Sequence, residues 1–311
     1  MDISIIIPNY NGVDLLKKNL PRVVDAVKEY KKGEIELIIP DDASSDSSVK
    51  FLEDFTKKSK IPCKVIINKK NKGFSGNVNS AVAKANGEIL ILLNTDVIPH
   101  KDFLDPLVAH FENNLVFAVA CMDESIEDGN VVLRGRGIGK WKRGFLLHSK
   151  GSVDKNTTLW ASGGSSAFRK STWDRLGGLN ELYNPFYWED IDLSYRAKKA
   201  GFLVLFEPKS KVIHEHSKGA IKTQNTSEKI TKIAYRNQFY FVWLNVTDKT
   251  LLFSHIFWLP IHIIRAVTRG NTELLGGFFE AIFNLPKVLA SREKNVKLFN
   301  CSDKEVINSV Q

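Results

Sequence analysis

Asn94 and Asp96 stand one residue apart at the end of Ile89-Leu90-Ile91-Leu92-Leu93, where an apolar run gives way to oxygen side chains. Such oxygens can bind a hard divalent cation or a sugar hydroxyl. An apolar run without polar alternation suits a strand buried on both faces of a parallel sheet, and ligands bind at the carboxyl ends of such strands. Alternation about the strand axis would aim Asn94 and Asp96 the same way. The plain alternative is a polar strand end that turns at Pro99.

Similar loops follow other apolar runs. Pro8-Asn9-Tyr10-Asn11-Gly12 and Pro40-Asp41-Asp42-Ala43-Ser44-Ser45-Asp46 offer acceptors for a base N–H or a ribose hydroxyl. Asn71-Lys72-Gly73-Phe74-Ser75-Gly76-Asn77 offers glycines that permit close backbone approach, a cation and a helix start, all of which suit phosphate. Its spacing is neither a Walker loop nor GxGxxG, which excludes the common ATPase and dinucleotide readings. Each loop alone is equally a capped turn.

Further along, Ser162-Gly163-Gly164 is a small-residue turn against which a ligand can lie. Trp188-Glu189-Asp190-Ile191-Asp192 sets three carboxylates at a helix start, where the dipole is expected to keep a base ionised. Asp190 is the candidate general base toward an attacking hydroxyl. Plain capping is the alternative for Glu189 and Asp192. His214 closes a short apolar strand and is either a ligand to a metal held by Asp96 or a hydrogen-bonded strand end.

The elements that must carry these loops alternate. Strands are expected at Ile3–Pro8, Glu34–Pro40, Val65–Asn68 and Glu88–Leu93, with helices at Asp14–Tyr30, Ser45–Lys58 and Gly76–Asn86 between them. Strands joined by helices of this length imply right-handed crossovers and an α/β class with a Rossmann-like, mostly parallel sheet. Later come a helix near Asp102–Asn113, a strand at Val116–Cys121, and a helix from Glu189 that stops at Gly201. The basic, glycine-rich passage Arg134–Gly144 reads as a solvated hairpin or as a loop over an anionic ligand.

With 311 residues, 43% hydrophobic and 25% charged, the chain is long enough for one large domain with an appendage. Cys63, Cys121 and Cys301 are scattered and form no CxxC pair, which argues against a disulfide framework or a zinc knuckle. The start, Met1-Asp2-Ile3, has no signal-peptide pattern, so a cytoplasmic location is expected. Net charge is +9, and residues 211–311 hold 14 Lys+Arg against 8 Asp+Glu. That balance can attract nucleic acid, anionic lipid or a phosphorylated substrate.

Taken in order, Ser4–Asn11, Asp41–Asp46, Asn71–Asn77, Leu93–Asp96, Ser162–Gly164, Glu189–Arg196 and Val212–His214 resemble the family 2 glycosyltransferases of GT-A fold, including rhamnosyltransferase-like enzymes of bacterial cell-surface polysaccharides. The resemblance implies an inverting transfer from a nucleoside-diphosphate sugar, UDP- or dTDP-linked, to a hydroxyl of a glycan or lipid-linked acceptor. It implies Mg²⁺ or Mn²⁺ on Asp96 with help from His214. The nucleotide would lie against Pro8, Asn9, Tyr10, Asp41, Asn71, Gly73 and Asn94, with Asp41 on the base. Sugar and acceptor would meet Gly163, Gly164, Trp188 and Glu189, with Asp190 as base beside Glu189. The family's Asp-x-Asp appears here as Asn94-Thr95-Asp96, which loses one charge at its first position.

The expected organisation is a GT-A catalytic domain over 1–217, with a nucleotide-binding half at 1–98 and an acceptor half at 99–217, and a helical, basic, amphipathic region over 218–311. Thr250–Ile264 is too short to span a bilayer and is interrupted by Pro260. On a helical projection His255, His262, Arg265 and Arg269 form a cationic stripe opposite Phe253, Phe257, Ile264 and Val267, with Phe278, Phe279, Ile282 and Phe283 nearby. Such a helix either rests on an anionic membrane at the inner face of the cell membrane or packs on protein, its own domain or a second subunit. The tail's aromatics cluster with aliphatics rather than with Lys and Arg, so nucleic acid is not an expected partner. The rival functions are a nucleotidyltransferase of sugar nucleotides, which would need an Arg-containing glycine-rich loop after the first strand, and a non-catalytic module that binds lipid or nucleotide.

Overall fold

The computed structural model describes residues 1–127, 129–214 and 225–311. Glu215, His216 and the expected boundary at 217/218 lie outside the described residues. In the first half β1 (Ile3–Ile6), α1 (Val13–Glu29), β2 (Ile35–Asp41), α2 (Ser48–Lys58), β3 (Cys63–Ile67), α3 (Gly73–Val82) and β4 (Ile89–Leu93) alternate as expected. The order β3-β2-β1-β4 is parallel throughout. Ile5, Leu37, Ile38, Ile91 and Leu92 are inaccessible to solvent, as strands covered on both faces require.

The second half adds β5 (Val97–Pro99), α4 (Leu104–Ala109), β6 (Val116–Glu127), β7 (Asn130–Arg134), β8 (Gly137–Lys142), β9 (Phe145–Lys150), β10 (Ser165–Arg169), α5 (Lys170–Leu176), α6 (Glu189–Lys199) and β11 (Leu203–His214). Here β10 enters antiparallel between β4 and β6, β11 runs parallel to β6, and β5 closes the edge antiparallel to β11. The α/β class holds, and the parallel order is confined mainly to the first half. Pairing of His214 with Val97 brings the end of β11 beside the loop that follows β4.

Arg134–Gly144 is a hairpin region, β8 pairing β9 through Arg143 and Gly144, both at positive φ. It is docked rather than solvated. Arg136 is buried and donates to the carbonyls of Thr157, Ser152 and Val310.

The helices α7 (Ser227–Asn245), α8 (Lys249–Arg269), α9 (Thr272–Phe283), α10 (Leu285–Val296) and α11 (Asp303–Asn308) follow, and the hairpin packs on α7, α8 and α11. Phe145 meets Phe239 edge to face, as Tyr195 of α6 meets Phe241. A buried pair, Lys199 to Asp303 at 3.0 Å, fastens α11 to α6.

One expectation about α8 is corrected. It continues through Pro260 for 21 residues, long and apolar enough by length and composition to cross a membrane. Pro260 is exposed on the outer face, where the carbonyl it leaves unbonded can be solvated. The polar stripe also points inward in part. His255 is buried, its Nδ1 against the Gly144 carbonyl at 2.8 Å and its Nε2 accepting from Trp243 Nε1 at 3.0 Å, which specifies a neutral ring. Burial holds its pKa below the ordinary histidine range. His262 likewise meets the Arg143 carbonyl. Phe253, 72% exposed, leads an outward stripe with Ile256, Phe257, Ile264 and Val267, and Phe279 and Phe283 of α9 are also exposed.

Candidate active site

The loops that follow β1, β2, β4 and β10's approach converge on a cavity of about 610 Å³, a size typical of small-molecule sites. Twelve of the expected residues line it: Pro8, Asn9, Tyr10, Asn71, Gly73, Asn94, Asp96, Gly163, Gly164, Glu189, Asp190 and His214. Asp41 and Trp188 do not.

Asp41 is fully buried, and its carboxylate accepts from Asn9 Nδ2 at 2.7 Å, Ser44 N at 2.9 Å and Ser44 Oγ at 2.7 Å. It braces the first two loops and does not itself line the cavity. Its neighbour Asp42 lines the cavity instead, held by Asn68 Nδ2 at 3.0 Å and the Lys72 amide at 2.9 Å. Burial raises its pKa, against the pull of those donors. Trp188 turns into the aromatic core between Phe241 and His148.

Gly73 sits at φ 70, with the Asn184 carboxamide where a Cβ would project. Asn184 Nδ2 donates to the Lys72 carbonyl at 2.6 Å, and its Oδ1 accepts from Ser75 N. Close backbone approach is thus made here by the protein itself, as it is at Gly164, which lies against Asn94. Asn94, Thr95 and Asp96 form a turn closed by Val97 N to the Asn94 carbonyl at 3.1 Å, so strand alternation does not aim them. The turn still presents all three to the cavity.

His214 Nε2 lies 3.3 Å from Asp96 Oδ1, and its Nδ1 lies 2.9 Å from Asp123 Oδ2. Burial opposes charge on the ring, but hydrogen bonds to Asp123 and Asp96 push its pKa up to about 9. Among the described residues no group of three or more His, Cys, Asp or Glu could hold a metal, so the described residues offer two donors here. The pair nevertheless fits a divalent ion. Adjacent ligands of an octahedral ion at about 2.1 Å stand roughly 3 Å apart, and such ions take one or two protein ligands alongside substrate phosphates. Asp123 then holds the ring from behind, as outer carboxylates do at histidine metal sites.

Asp190 accepts from Ile191 N at 2.8 Å and Gly163 N at 3.2 Å at the start of α6. These donors do not prevail as the dipole argument expected: burial raises the pKa of Asp190 despite them. Glu189, 7% exposed, is pushed well above the carboxylate range by burial and then by Asp190, and its Oε2 has no hydrogen-bond partner. Burial of Glu189 and the neighbouring charge of Asp190 both favour its neutral form. Asp192 is no cap: it is a buried hub bonded to Arg196 Nε at 2.7 Å, Tyr183 Oη at 3.0 Å and Asn245 Nδ2 at 2.7 Å.

Sequence reasoning missed Asp42, Phe74, Asn77, Phe186, Tyr187 and Lys229 in the lining, and Asp123 behind it. Asp123 was findable, as the first carboxylate after the apolar run of β6. Lys229, the one Lys or Arg among the described lining residues, lies on α7 with no motif to mark it.

A sequence model of the family described as Glycosyl transferase family 2 matches residues 4–177, more than half of the chain. The O-antigen chain rhamnosyltransferase RfbN of Salmonella typhimurium is 28% identical over 223 residues, 70% of this chain and 67% of that one. Two solved structures share the fold. GalNAc-T7 with UDP, GalNAc and Mn²⁺ has a TM-score of 0.64 at 21% identity, covering 80% of this chain and 48% of that one. The Pyrobaculum calidifontis mannosyltransferase PcManGT with GDP-Man and Mn²⁺ has 0.58 at 15%, covering 95% and 85%. This chain thus spans about half the length of GalNAc-T7. The match over the first half, with the GT-A arrangement of the whole, shows that the chain belongs to glycosyl transferase family 2.

Proposed function

We propose that the chain is an inverting glycosyltransferase that moves a sugar from a nucleoside-diphosphate sugar to an acceptor hydroxyl, in the assembly of a cell-surface polysaccharide or glycolipid. The observation that carries this reading is that Asp42, the Asp96–His214 pair and Asp190 open on one cavity. Asp42 and the amides around it suit a base or ribose. Asp190, the ionised member of its pair, takes the proton of the acceptor hydroxyl as that oxygen attacks the anomeric carbon from the face opposite the nucleotide. The anomeric bond to the diphosphate breaks in the same step, so configuration inverts and no covalent enzyme intermediate forms. When bound, Mg²⁺ or Mn²⁺ on Asp96 and His214 supplies positive charge to the departing diphosphate. Lys229 adds a second cation on the same cavity.

The similarity to RfbN and to structures with UDP and GDP-Man supports the donor class and the polysaccharide setting. A domain division near residue 217 agrees with the change to an all-helical chain from Ser227 onward. The outward apolar stripe of α8 has Lys249, Arg265 and Arg269 along it and no acidic residue in the helix. Apolar burial with basic flanks is what an anionic membrane surface binds, so we place the enzyme peripherally on the cytoplasmic side of the membrane. Thermal-shift screening of nucleoside diphosphates with and without Mn²⁺, followed by turnover of the matching nucleotide sugar, tests the reading. A cation-dependent shift with one nucleotide supports it, and none with any nucleotide contradicts it.

A further inference from the structure

The segment from Tyr183 to Trp188 forms part of the cavity wall and delivers Glu189 and Asp190 to it. Tyr187 and Trp188 take consecutive left-handed conformations, φ 70 and 76, without a glycine's freedom to do so. Such backbone persists only where its surroundings over-determine it. Among those surroundings are two side chains of α7. Asn237, fully buried, directs Nδ2 at the carbonyls of Tyr183 at 3.0 Å, Phe186 at 2.9 Å and Tyr187 at 2.8 Å. Arg236 donates to the Asn184 carbonyl at 2.6 Å and, through Nε, to Asn237 Oδ1 at 3.0 Å, while its other terminal nitrogen pairs with Glu280 of α9.

This arrangement fixes the amide. A carboxamide can be flipped without changing its shape, but Arg236 can only donate. The Asn237 oxygen is therefore held on Arg236, and its N–H groups must face the loop. For helix packing alone an apolar side chain would serve; three carbonyls gathered on one buried amide specify the backbone immediately before the carboxylate pair.

We propose that Asn237, oriented by Arg236, is a positioning residue that holds the strained Phe186–Trp188 backbone and thereby sets Asp190 in the cavity. The catalytic geometry is then completed by α7, a helix outside the 4–177 family match. The proposal rests on the reading of Asp190 as the base.

The test is a double-mutant cycle on the full chain, Asn237→Ala with Asp190→Asn, using the nucleotide sugar that the wild type consumes. Misplacement of a catalytic group costs on the order of 10²-fold, so Asn237→Ala should lower kcat by about that factor while Mn²⁺-dependent binding of the nucleoside diphosphate stays within roughly twofold. In the Asp190→Asn background the same change should have no further effect, because both act through one carboxylate. Equal losses in both backgrounds, or an unchanged kcat, would overturn the proposal. Should Asn237→Ala not fold, Arg236→Lys carries the test, since it keeps a charge for Glu280 and loses the fork that orients Asn237. Hydrogen exchange supplies a readout free of activity: amides of residues 186–192 should exchange faster in the variant with the sheet unchanged, and unaltered exchange there refutes the clamp. If Asp190→Asn alone turns over like wild type, the base assignment fails instead, and the exchange result still decides whether the clamp exists.

Discussion

His214 Nε2 stands 3.3 Å from Asp96 Oδ1 because β11 ends in register with β5, His214 opposite Val97, so two distant segments meet at the mouth of one cavity. Asp123 on the next strand holds the other ring nitrogen at 2.9 Å. The three residues make a donor pair with a support behind it, and that arrangement sets the first prediction. Asp96→Asn and His214→Ala should each abolish the Mn²⁺-dependent part of nucleoside-diphosphate binding, measured calorimetrically. Asp123→Asn should weaken it by about 10–100-fold, as loss of an outer-shell partner does.

The carboxylate pair should separate by role. Asp190→Asn should lower kcat by about 10²–10⁴-fold, the usual worth of a general base. Glu189→Gln imitates the neutral form that burial favours for Glu189 and should leave kcat within roughly tenfold. The raised pKa of Asp190 means that the base gains its proton, and activity is lost, as pH falls through a value above that of a free carboxylate. A pH profile of kcat for wild type and Glu189→Gln checks this.

Asp41 and Asp42, adjacent in sequence, should behave differently. Asp41→Ala strands buried donors from Asn9 and Ser44 and should cost about 1–3 kcal/mol of stability by denaturant unfolding. Asp42→Ala, at the cavity, should weaken nucleoside or nucleotide binding beyond any loss of stability.

Lys198 offers a pH test of the packing behind α6. Burial lowers its pKa to about 8, while its Nζ donates to the Thr158 carbonyl at 3.2 Å. The unfolded chain binds that proton up to about pH 10.4 and the folded chain releases it earlier, so this lysine makes stability rise between those two values and costs stability below them. Lys198→Met should therefore raise the melting temperature at pH 7 and lose the advantage near pH 10.

The outward face of α8 should govern attachment. Phe253→Glu combined with Phe257→Glu should abolish sedimentation with phosphatidylglycerol vesicles without lowering the melting temperature, since both side chains are exposed. A change in oligomeric state with vesicle binding intact would assign the face to a second copy instead.

The parallel half of the fold was legible because buried strands and amphipathic helices leave distinct periods in sequence, and the loops after Ile6, Asp41 and Leu93 then fall at one edge. What eluded pattern was which member of a pair faces the ligand. Asp41 and Asp42 are the same residue type in one loop, and only the bonds from Asn9 and Ser44 decide between them. Trp188 looked like a sugar platform, yet its left-handed backbone turns it toward Phe241. The two-sided character of α8 was legible but not which side turns inward, because the hairpin that hydrogen-bonds His255 and His262 lies more than a hundred residues earlier. Lys229, Arg236 and Asn237 carry no motif at all.

The most direct test of the account measures, on one preparation of Asp190→Asn, both Mn²⁺-dependent binding of the matching nucleoside diphosphate and turnover of its sugar. The expected result is binding within roughly twofold of wild type and turnover lower by about 10²–10⁴-fold. Turnover at the wild-type rate, or nucleotide binding that does not respond to Mn²⁺ or to Asp96→Asn, would contradict it.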